Sequence, residues 1–259
     1  MPISFLKKAA RHASTVKHTQ DKTSALILAA GSSTRMGGKV SKQFLDLCGN
    51  PVLAYTLLAY QSCPLISEII LAARREDFDM IAEIREAYGI TKLRHVVAGG
   101  ANRQESASRA FAKIAPDTRY VAVADGARCL VTTGEIEAVC KAAYRYKAAS
   151  AARRVVGTLK RATDSGLIAQ TVNRENLWEA QTPQVFHVTI YGAALNKAKK
   201  ENRSETDDNA MVERIGQRIK LVECSNENLK ITTPDDMNLA AAILTMRMAL
   251  AEQQTEEQS

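Results

Sequence analysis

A short apolar run followed by a glycine-rich, basic loop constrains the fold of this chain more than any other stretch. The run covers residues 25–30 and has the length and flanking residues of a fully buried strand. It breaks at Gly31 into small and cationic residues that continue to Lys42. Open α/β sheets bind nucleotides where a buried strand delivers such a loop to its carboxyl end. The stretch therefore predicts an α/β sheet with a nucleotide or phosphate site at that edge.

Two familiar phosphate-binding loops do not match this stretch. A Walker A loop needs a glycine where this chain has Ser33, and a serine or threonine where it has Val40. The dinucleotide pattern G-x-G-x-x-G also fails, because Ser33 occupies the position of the second glycine after Gly31. An ordinary strand-to-loop connection on a basic protein is the alternative that the stretch alone leaves open.

The composition excludes several classes of protein. The chain has 259 residues, of which 46% are hydrophobic and 24% are charged, as in a globular domain. No apolar run approaches the roughly 18 residues of a membrane span, so we expect no membrane partner. The five cysteines are scattered without a C-x-x-C pair, and there are four histidines. This pattern argues against a zinc site or a disulfide scaffold and favours a reducing compartment, the cytoplasm.

Charge divides the chain into three parts. Residues 1–23 are basic and residues 252–259 are acidic, so we expect a flexible N-terminal extension, a globular domain over residues 24–251 and a disordered tail. The net charge is +7, and a mildly basic globular part suits a phosphorylated substrate. The chain lacks the Lys/Arg clusters interleaved with aromatic residues that nucleic-acid binders carry, so we expect no nucleic-acid partner.

Strand-like and helix-like segments alternate from residue 25 onward. This alternation predicts a mostly parallel sheet that is covered by helices on both faces. We predict helices at residues 52–62, 77–88, 103–114 and 134–146, with strands at residues 68–73, 95–98 and 120–124.

The alternation weakens beyond residue 152. A turn at residues 163–166 lies between two β-like segments and predicts a protruding hairpin at about residues 155–173. Further on, we predict a helix at residues 188–199, a strand at residues 219–223 and a final helix from residue 234 to about residue 251.

The ends of the predicted strands collect the polar residues. Because parallel strands end at the same edge of a sheet, the residues that follow them become neighbours. Gly99, Gly100, Arg103 and Ser106 follow one strand, and Asp125 follows another. A carboxylate at that place is a natural ligand for Mg²⁺, which prefers carboxylate and phosphate oxygens. Capping of the following turn is the alternative role for Asp125.

Six groups of motifs, in this order, cover the chain from about residue 24 to residue 247. They are L-A-A-G-S-S-T-R-M with S-K-Q-F-L at residues 28–36 and 41–45, G-G-A-N-R-Q-E-S at 99–106, D-G-A-R at 125–128, T-V-N-R-E-N-L-W-E-A-Q-T-P-Q-V-F at 171–186, T-D-D at 206–208 and N-L-K-I-T-T-P-D-D at 228–236. Each motif is weak alone, but together they resemble the family of the 2-C-methyl-D-erythritol 4-phosphate cytidylyltransferases. Those enzymes make a CDP-linked polyol from CTP in the non-mevalonate isoprenoid route.

The resemblance implies a three-layer, Rossmann-like nucleotidyltransferase fold with a mostly parallel twisted sheet, in which the protruding β-hairpin is a dimerisation arm. It implies a Mg²⁺-dependent enzyme that transfers CMP from CTP to a polyol phosphate and releases pyrophosphate. The attacking phosphate oxygen is already ionised at neutral pH, so no catalytic base is needed. Catalysis then consists of positioning and charge neutralisation.

The resemblance also implies roles for individual residues. In this family the arm is exchanged between two subunits, so Thr158 and Arg174 reach the pocket of the partner and a homodimer completes the site. The implied residues are Arg35, Lys42, Arg174 and Lys230 for catalysis; Ala29, Ala30, Gly31, Gly99, Gly100, Arg103 and Ser106 for the nucleotide; Arg128, Thr158, Thr182 and Thr206 for the polyol phosphate; and Asp125 for Mg²⁺.

Three positions on the polyol side, Arg154, Gly157 and Asn209, depart from the family pattern. They leave open a related enzyme for a pentitol phosphate such as ribitol 5-phosphate, because that family shares the same loop and the N-L-K-I-T-T segment. The alternative from another class is a nucleotide-binding sensor or scaffold without turnover. Single residues have structural alternatives as well: Arg174 would pack against Trp178, and the T-D-D run would cap a helix.

Overall fold

A computed structural model describes residues 21–31 and 41–256 of the chain. The prediction for Arg35 and most of the prediction for the N-terminal extension fall outside these ranges, as do residues 257–259. Within the described ranges, none of the helices is long and apolar enough to cross a membrane.

Most strands of the described chain belong to one twisted central sheet. The strands are β1 (Thr23–Leu28), β2 (Asp46–Leu47), β3 (Asn50–Pro51), β4 (Ile66–Ala73), β5 (Leu93–Ala98), β6 (Tyr120–Asp125), β7 (Ala148–Arg154), β8 (Lys160–Ala162), β9 (Ile168–Thr171), β10 (Trp178–His187) and β11 (Lys220–Glu223). Seven of them form the central sheet in the order β11-β7-β10-β6-β1-β4-β5. All neighbours in it pair in parallel except β10, which runs antiparallel to β6 and β7.

Helices cover both faces of this sheet and give three layers. They are α1 (Val52–Ser62), α2 (Phe78–Tyr88), α3 (Arg103–Phe111), α4 (Thr133–Tyr146), α5 (Val188–Lys200), α6 (Asp208–Glu213) and α7 (Pro234–Glu256). Buried side chains of α1, α2 and α4 pack on one face, and those of α3, α5 and α6 pack on the other. The predicted α/β class and parallel-dominated sheet are confirmed.

β1 lies inside the sheet because its side chains are apolar on both faces. Ala25 and Ile27 join the core under α1, while Leu26 and Leu28 join the core under α3 and α5. Burying each leucine or isoleucine contributes about 1.5–3 kcal/mol relative to an exposed position. β1 is paired on one side with β4 and on the other with β6, so its carboxyl end lies in the middle of the sheet edge. The nucleotide loop predicted after it therefore begins at the centre of that edge.

Two strands of the central sheet, β7 and β10, were not predicted from the sequence. β7 is rich in alanine, and β10 contains Pro183, which cannot donate a ladder hydrogen bond. The pairing of β10 with β7 shifts register between Ala180 and Gln184, and the Thr182–Pro183 peptide bond in this stretch is cis. Among the described strands of the central sheet, β10 alone runs antiparallel to its neighbours.

The C-terminal helix is longer than predicted. α7 continues past residue 251 to Glu256, five residues into the stretch that was predicted to be a disordered tail. Its buried face packs on β2 and on the loop after β6 through Leu47, Leu130 and Leu244.

β8 and β9 form a separate antiparallel hairpin where the turn residues indicated one. Gly166 adopts the left-handed conformation (φ 81°) in its turn, which favours glycine. Leu167 and Ile168 at its tip are 68% and 67% exposed. A single chain therefore leaves this apolar tip in solvent.

Candidate active site

A cavity of about 430 Å³ opens at the carboxyl edge of the sheet, where β1 and β6 end and α3 begins. Small-molecule sites typically enclose about 300–1,000 Å³. Eight residues with predicted roles line this cavity: Ala30, Gly31, Lys42, Gly100, Arg103, Ser106, Asp125 and Lys230.

Asp125 is the electrostatic centre of the cavity. It is the last residue of β6, and its side chain is 11% exposed. One carboxylate oxygen accepts from Nε of Arg103 at 3.2 Å, and the other lies 2.8 Å from Nζ of Lys230 and 3.9 Å from Nε of Arg128. Burial alone would raise the pKa of Asp125, but these cations outweigh burial and lower the pKa from 3.8 to about 2. The carboxylate is therefore ionised at neutral pH.

Arg103 is shared between two carboxylates. It is the first residue of α3, and its Nη1 also donates to Asp208, the first residue of α6. The Asp208 side chain is 2% exposed, and its other oxygen accepts from the hydroxyl of Tyr191 at 2.7 Å. Burial alone would lower the pKa of Arg103, but Asp208 and Asp125 raise it above its ordinary value. The guanidinium is therefore a permanent charge fixed between α3, α6 and the end of β6.

The loop before α7 brings a second cation to Asp125. The Ile231 amide donates to the carbonyl of Ala127 at 2.9 Å, which ties this loop to the end of β6 and places Lys230 beside Asp125. The carbonyl of Ile231 in turn accepts from Nζ of Lys42 at 2.6 Å. Two lysines that are remote in sequence therefore meet at one wall of the cavity.

Small residues bring the backbone close to the cavity at the ends of β1 and β5. A Cβ atom on Gly99 would overlap with the Cβ of Ala30, so the close approach requires glycine. Oγ of Ser106 accepts from the Gly100 amide at 2.9 Å and donates to the carbonyl of Asn102 at 2.9 Å. Ser106 therefore fixes the turn that leads from β5 into α3, and the start of α3 forms part of the cavity wall.

Two residues predicted to bind the polyol phosphate lie behind Asp125. Oγ1 of Thr182 accepts from the Asp125 amide at 3.1 Å. Arg128 donates to the carbonyls of Asn228 at 2.7 Å and Ala180 at 3.5 Å, while its buried Nε has no hydrogen-bond partner among the described residues. Burial lowers the pKa of Arg128. Within one chain, both residues support the position and the charge of Asp125.

Other predicted residues do not line this cavity. Ala29 is 2% exposed and lies behind the wall. Thr158 and Thr206 are exposed at the surface, and Arg174 donates to the carbonyl of Val156 at the base of the hairpin. Arg174 lines a separate groove there. The roles predicted for Thr158 and Arg174 concern a partner subunit and stay predictions.

The contacts test two structural alternatives: that Arg174 packs against Trp178, and that the T-D-D run caps a helix. The ring of Trp178 is covered by the guanidinium of Arg154, 4.3 Å from the ring centroid, and Arg174 contacts the backbone instead. The predicted helix cap is confirmed, because the side chain of Asp207 accepts from the Ala210 amide at 2.9 Å at the start of α6.

Part of the site lies at residues for which the sequence predicted no role in binding or catalysis. Asp208 and Tyr191 complete the charge network around Arg103, although Asp208 was expected only as part of a helix cap and no role was expected for Tyr191. The signal for Asp208 was the second aspartate of the T-D-D motif, since one aspartate is enough to cap a helix. Gln43, Asn102 and Thr232 also line the cavity and lie inside the motifs, within two positions of residues with predicted roles.

The donor set of the cavity fits Mg²⁺ that is held jointly with a nucleotide. Magnesium is usually bound by one or two carboxylates together with phosphate oxygens and water. No cluster of three or more Asp, Glu, His or Cys side chains suited to a metal occurs in residues 21–31 and 41–256. Asp125 supplies one ionised carboxylate on the wall of the cavity. The remaining ligands of such an ion would be phosphate oxygens and water.

Comparisons with known proteins agree on one family. The family model described as 2-C-methyl-D-erythritol 4-phosphate cytidylyltransferase (IspD) matches residues 23–246. Proteins of that name from Pelotomaculum thermopropionicum and Desulforamulus reducens are 39% and 42% identical, over 88% and 86% of this chain and 96% of each relative.

Solved structures give the same result. The 4-diphosphocytidyl-2C-methyl-D-erythritol synthase from Anaerococcus prevotii superposes with a TM-score of 0.76 at 29% identity, over 87% of this chain and 99% of that one. The 2-C-methyl-D-erythritol 4-phosphate cytidylyltransferase from Thermus thermophilus gives a TM-score of 0.70 at 30% identity, over 86% and 98%.

Proposed function

The chain belongs to the 2-C-methyl-D-erythritol 4-phosphate cytidylyltransferase family, and from that premise we propose how its residues carry the reaction. The enzyme transfers CMP from CTP to 2-C-methyl-D-erythritol 4-phosphate, forming 4-diphosphocytidyl-2-C-methyl-D-erythritol and pyrophosphate on the route to isoprenoid precursors. A phosphate oxygen of the polyol forms the new bond to the α-phosphorus of CTP. The bond from that phosphorus to the bridging oxygen breaks, and pyrophosphate leaves with the electron pair.

The cationic wall of the cavity is the observation that carries the mechanism. An ionised phosphate must approach a triphosphate, so the main obstacle is electrostatic. Lys42 and Lys230 reach the cavity from remote segments, and Arg103 and Arg128 stand beside Asp125. We assign to Lys42, with Arg35, the neutralisation of charge that grows on the phosphates in the transition state.

The turn from β5 into α3 and the end of β1 form the proposed nucleotide side. Gly99 approaches Ala30 without a side chain between them, and Ser106 orders the Gly100 amide. Amides and small side chains at this edge leave space for the cytidine and its phosphates. Gly31 lies at the mouth of the same cavity, directly before the basic loop.

We propose that Asp125 holds Mg²⁺ together with the CTP phosphates. When bound, the ion would neutralise phosphate charge and fix the triphosphate in place. The ion would compete with Arg103 and Lys230 for the Asp125 carboxylate, and one of these contacts would be exchanged for the ion. Both cations stay beside the cavity after such an exchange, where phosphate oxygens are their next partners.

We also propose a homodimer in which the hairpin arm crosses to a second copy. The exposed apolar tip at Leu167 and Ile168 supports an interface, because such side chains are normally covered. In the dimer, Arg174 and Thr158 would complete the acceptor side of the partner's cavity.

We propose the cytoplasm as the compartment, since all five cysteines are unpaired.

The Lys42→Ala variant tests this assignment. We expect kcat to fall by about 10²–10³, as after loss of an oxyanion donor, while the dissociation constant of CTP changes by less than about threefold. Pyrophosphate release measures kcat, and calorimetry measures CTP binding. Lys141→Ala is the matched control, because Lys141 is an exposed lysine of α4 that pairs with Glu137.

An equal loss of CTP affinity and turnover in Lys42→Ala would contradict the assignment.

The same pyrophosphate assay compares the two candidate acceptors. Faster turnover with ribitol 5-phosphate than with 2-C-methyl-D-erythritol 4-phosphate would contradict the assignment of the latter as the acceptor.

A further inference from the structure

Two buried carboxylates share one guanidinium at the edge of the cavity. Both oxygens of Asp125 are engaged, one by Arg103 and the other by Lys230. Any cation that binds Asp125 therefore competes with these two partners for the same carboxylate. Lys230 is 37% exposed and can turn toward solvent or phosphate, whereas Arg103 is 28% exposed and extends from the first turn of α3.

Arg103 has a second counter-ion that does not depend on Asp125. Its Nη1 donates to Asp208, which is 2% exposed and lies on α6. A partly buried guanidinium without a counter-ion is strongly unfavourable. With Asp208 in place, Arg103 stays paired when Asp125 turns to another cation.

Asp208 is itself held by rigid neighbours. Its second oxygen accepts from the hydroxyl of Tyr191 at 2.7 Å. The Tyr191 ring stacks on Phe186 with centroids 5.5 Å apart and meets Phe111 edge-on at 5.3 Å. The α6 turn is capped separately by Asp207. The carboxylate of Asp208 therefore cannot follow Arg103 toward the cavity.

We propose that Asp208 is a positioning residue that keeps Arg103 paired and thereby releases Asp125 for the metal–nucleotide complex. The inference rests on the proposed role of Asp125 in holding Mg²⁺. Tyr191 assists by fixing Asp208. Neither residue touches the substrates, and both act through Arg103.

The proposal predicts opposite effects on two binding constants. In Asp208→Asn, Arg103 retains Asp125 as its only described carboxylate partner, so the metal competes with a stronger ion pair. Metal-free CTP meets a site with one negative charge fewer, so it binds at least as tightly as to the wild type. A general structural defect would instead weaken both bindings.

The experiment measures the dissociation constant of CTP on the full chain by calorimetry, once in EDTA and once in saturating Mg²⁺. The dissociation constant in EDTA divided by the constant in Mg²⁺ gives the coupling between metal and nucleotide, and a larger ratio means stronger coupling. We expect this ratio to fall about tenfold in Asp208→Asn, within the usual range for coupled sites. Asp208→Glu, which restores the charge, should recover most of the ratio, and Tyr191→Phe should lower it about two- to threefold.

Asp207→Asn is the matched control, because asparagine caps a helix as well as aspartate and Asp207 does not pair with Arg103. Its ratio should equal that of the wild type. An unchanged ratio in Asp208→Asn, or a parallel weakening of both bindings, overturns the proposal. If Asp208→Asn does not fold, Tyr191→Phe decides: a lowered ratio supports the proposal and a wild-type ratio overturns it.

Asp125→Asn separates this inference from the proposed function. A wild-type ratio in Asp125→Asn refutes the metal role of Asp125 itself. A lowered ratio in Asp125→Asn together with an unchanged ratio in Asp208→Asn refutes only the positioning role of Asp208.

Discussion

Replacing Asp125 by asparagine tests the charge balance of the site without any substrate. The variant leaves Arg103, Lys230 and Arg128 around a neutral amide. In the folded protein the carboxyl pKa falls from 3.8 to about 2. At about 1.4 kcal/mol per pKa unit, this shift means that folding favours the ionised carboxylate by roughly 2 kcal/mol. We expect the free energy of unfolding at pH 7 to fall by about 2–4 kcal/mol, since crowded cations also lose their counter-ion.

The effect has a defined pH dependence. Because the pKa of Asp125 is lower in the folded state, its stabilising contribution is complete above the unfolded pKa of about 3.9. It is lost as the pH falls through about 2. The difference between wild type and Asp125→Asn should therefore be constant from about pH 5 to pH 8 and shrink below about pH 4.

Urea denaturation followed by circular dichroism measures both quantities. Asp117→Asn is the control, because Asp117 forms an exposed ion pair with Lys22 and such pairs contribute little. We expect no measurable change for it. A loss below about 1 kcal/mol in Asp125→Asn at pH 7, or a difference that persists unchanged at low pH, would refute the electrostatic account.

Two further predictions concern packing and assembly. Gly99→Ala should weaken CTP binding about tenfold in calorimetry, because the added Cβ overlaps with Ala30 and overpacking costs about 1–3 kcal/mol. Gly134→Ala is the control and should leave CTP binding unchanged, because its Cβ would meet nothing within 4 Å. Leu167→Asp at the hairpin tip should leave each chain folded but raise the dimer dissociation constant at least tenfold in sedimentation experiments, because a charge replaces an apolar side chain that is 68% exposed in one chain. A monomeric wild type, or a tight dimer in Leu167→Asp, would contradict the second prediction.

Periodicity was sufficient for the first half of the chain and failed at two strands of the second. α4 follows a clear amphipathic pattern, whereas α1 is apolar almost all round and begins directly after the predicted turn at Pro51; the bounds of both agree with the prediction within one residue. β7 consists of alanine, serine and arginine and carries no β-branched or aromatic signal. β10 contains a proline inside a central strand, which is normally evidence against one. The tertiary pairing of these two strands with each other overrides both local preferences.

The site was predictable as a location but not as a network. Asp125 and Arg103 each follow a predicted strand, and they were expected to be neighbours because parallel strands end at the same edge of a sheet. The pairing of Arg103 with Asp208 joins residues that are 105 positions apart and depends on where α6 docks. No local pattern contains that information. Roles that require a second subunit, such as that of Arg174, cannot be read from the contacts of one chain.

The contact between Lys42 and the carbonyl of Ile231 has a consequence for synthesis of the protein. It joins segments that are 189 positions apart in the chain. The nucleotide loop leaves the ribosome long before the segment that carries Lys230 and Ile231, although early parts of a chain begin to fold during translation. A nascent chain that ends before Lys230 lacks one cation of Asp125 and the anchor of Lys42. On the roles proposed for Lys42 and Lys230, we expect turnover to begin only when the last loop and helix have docked, and partial translation products to be inactive.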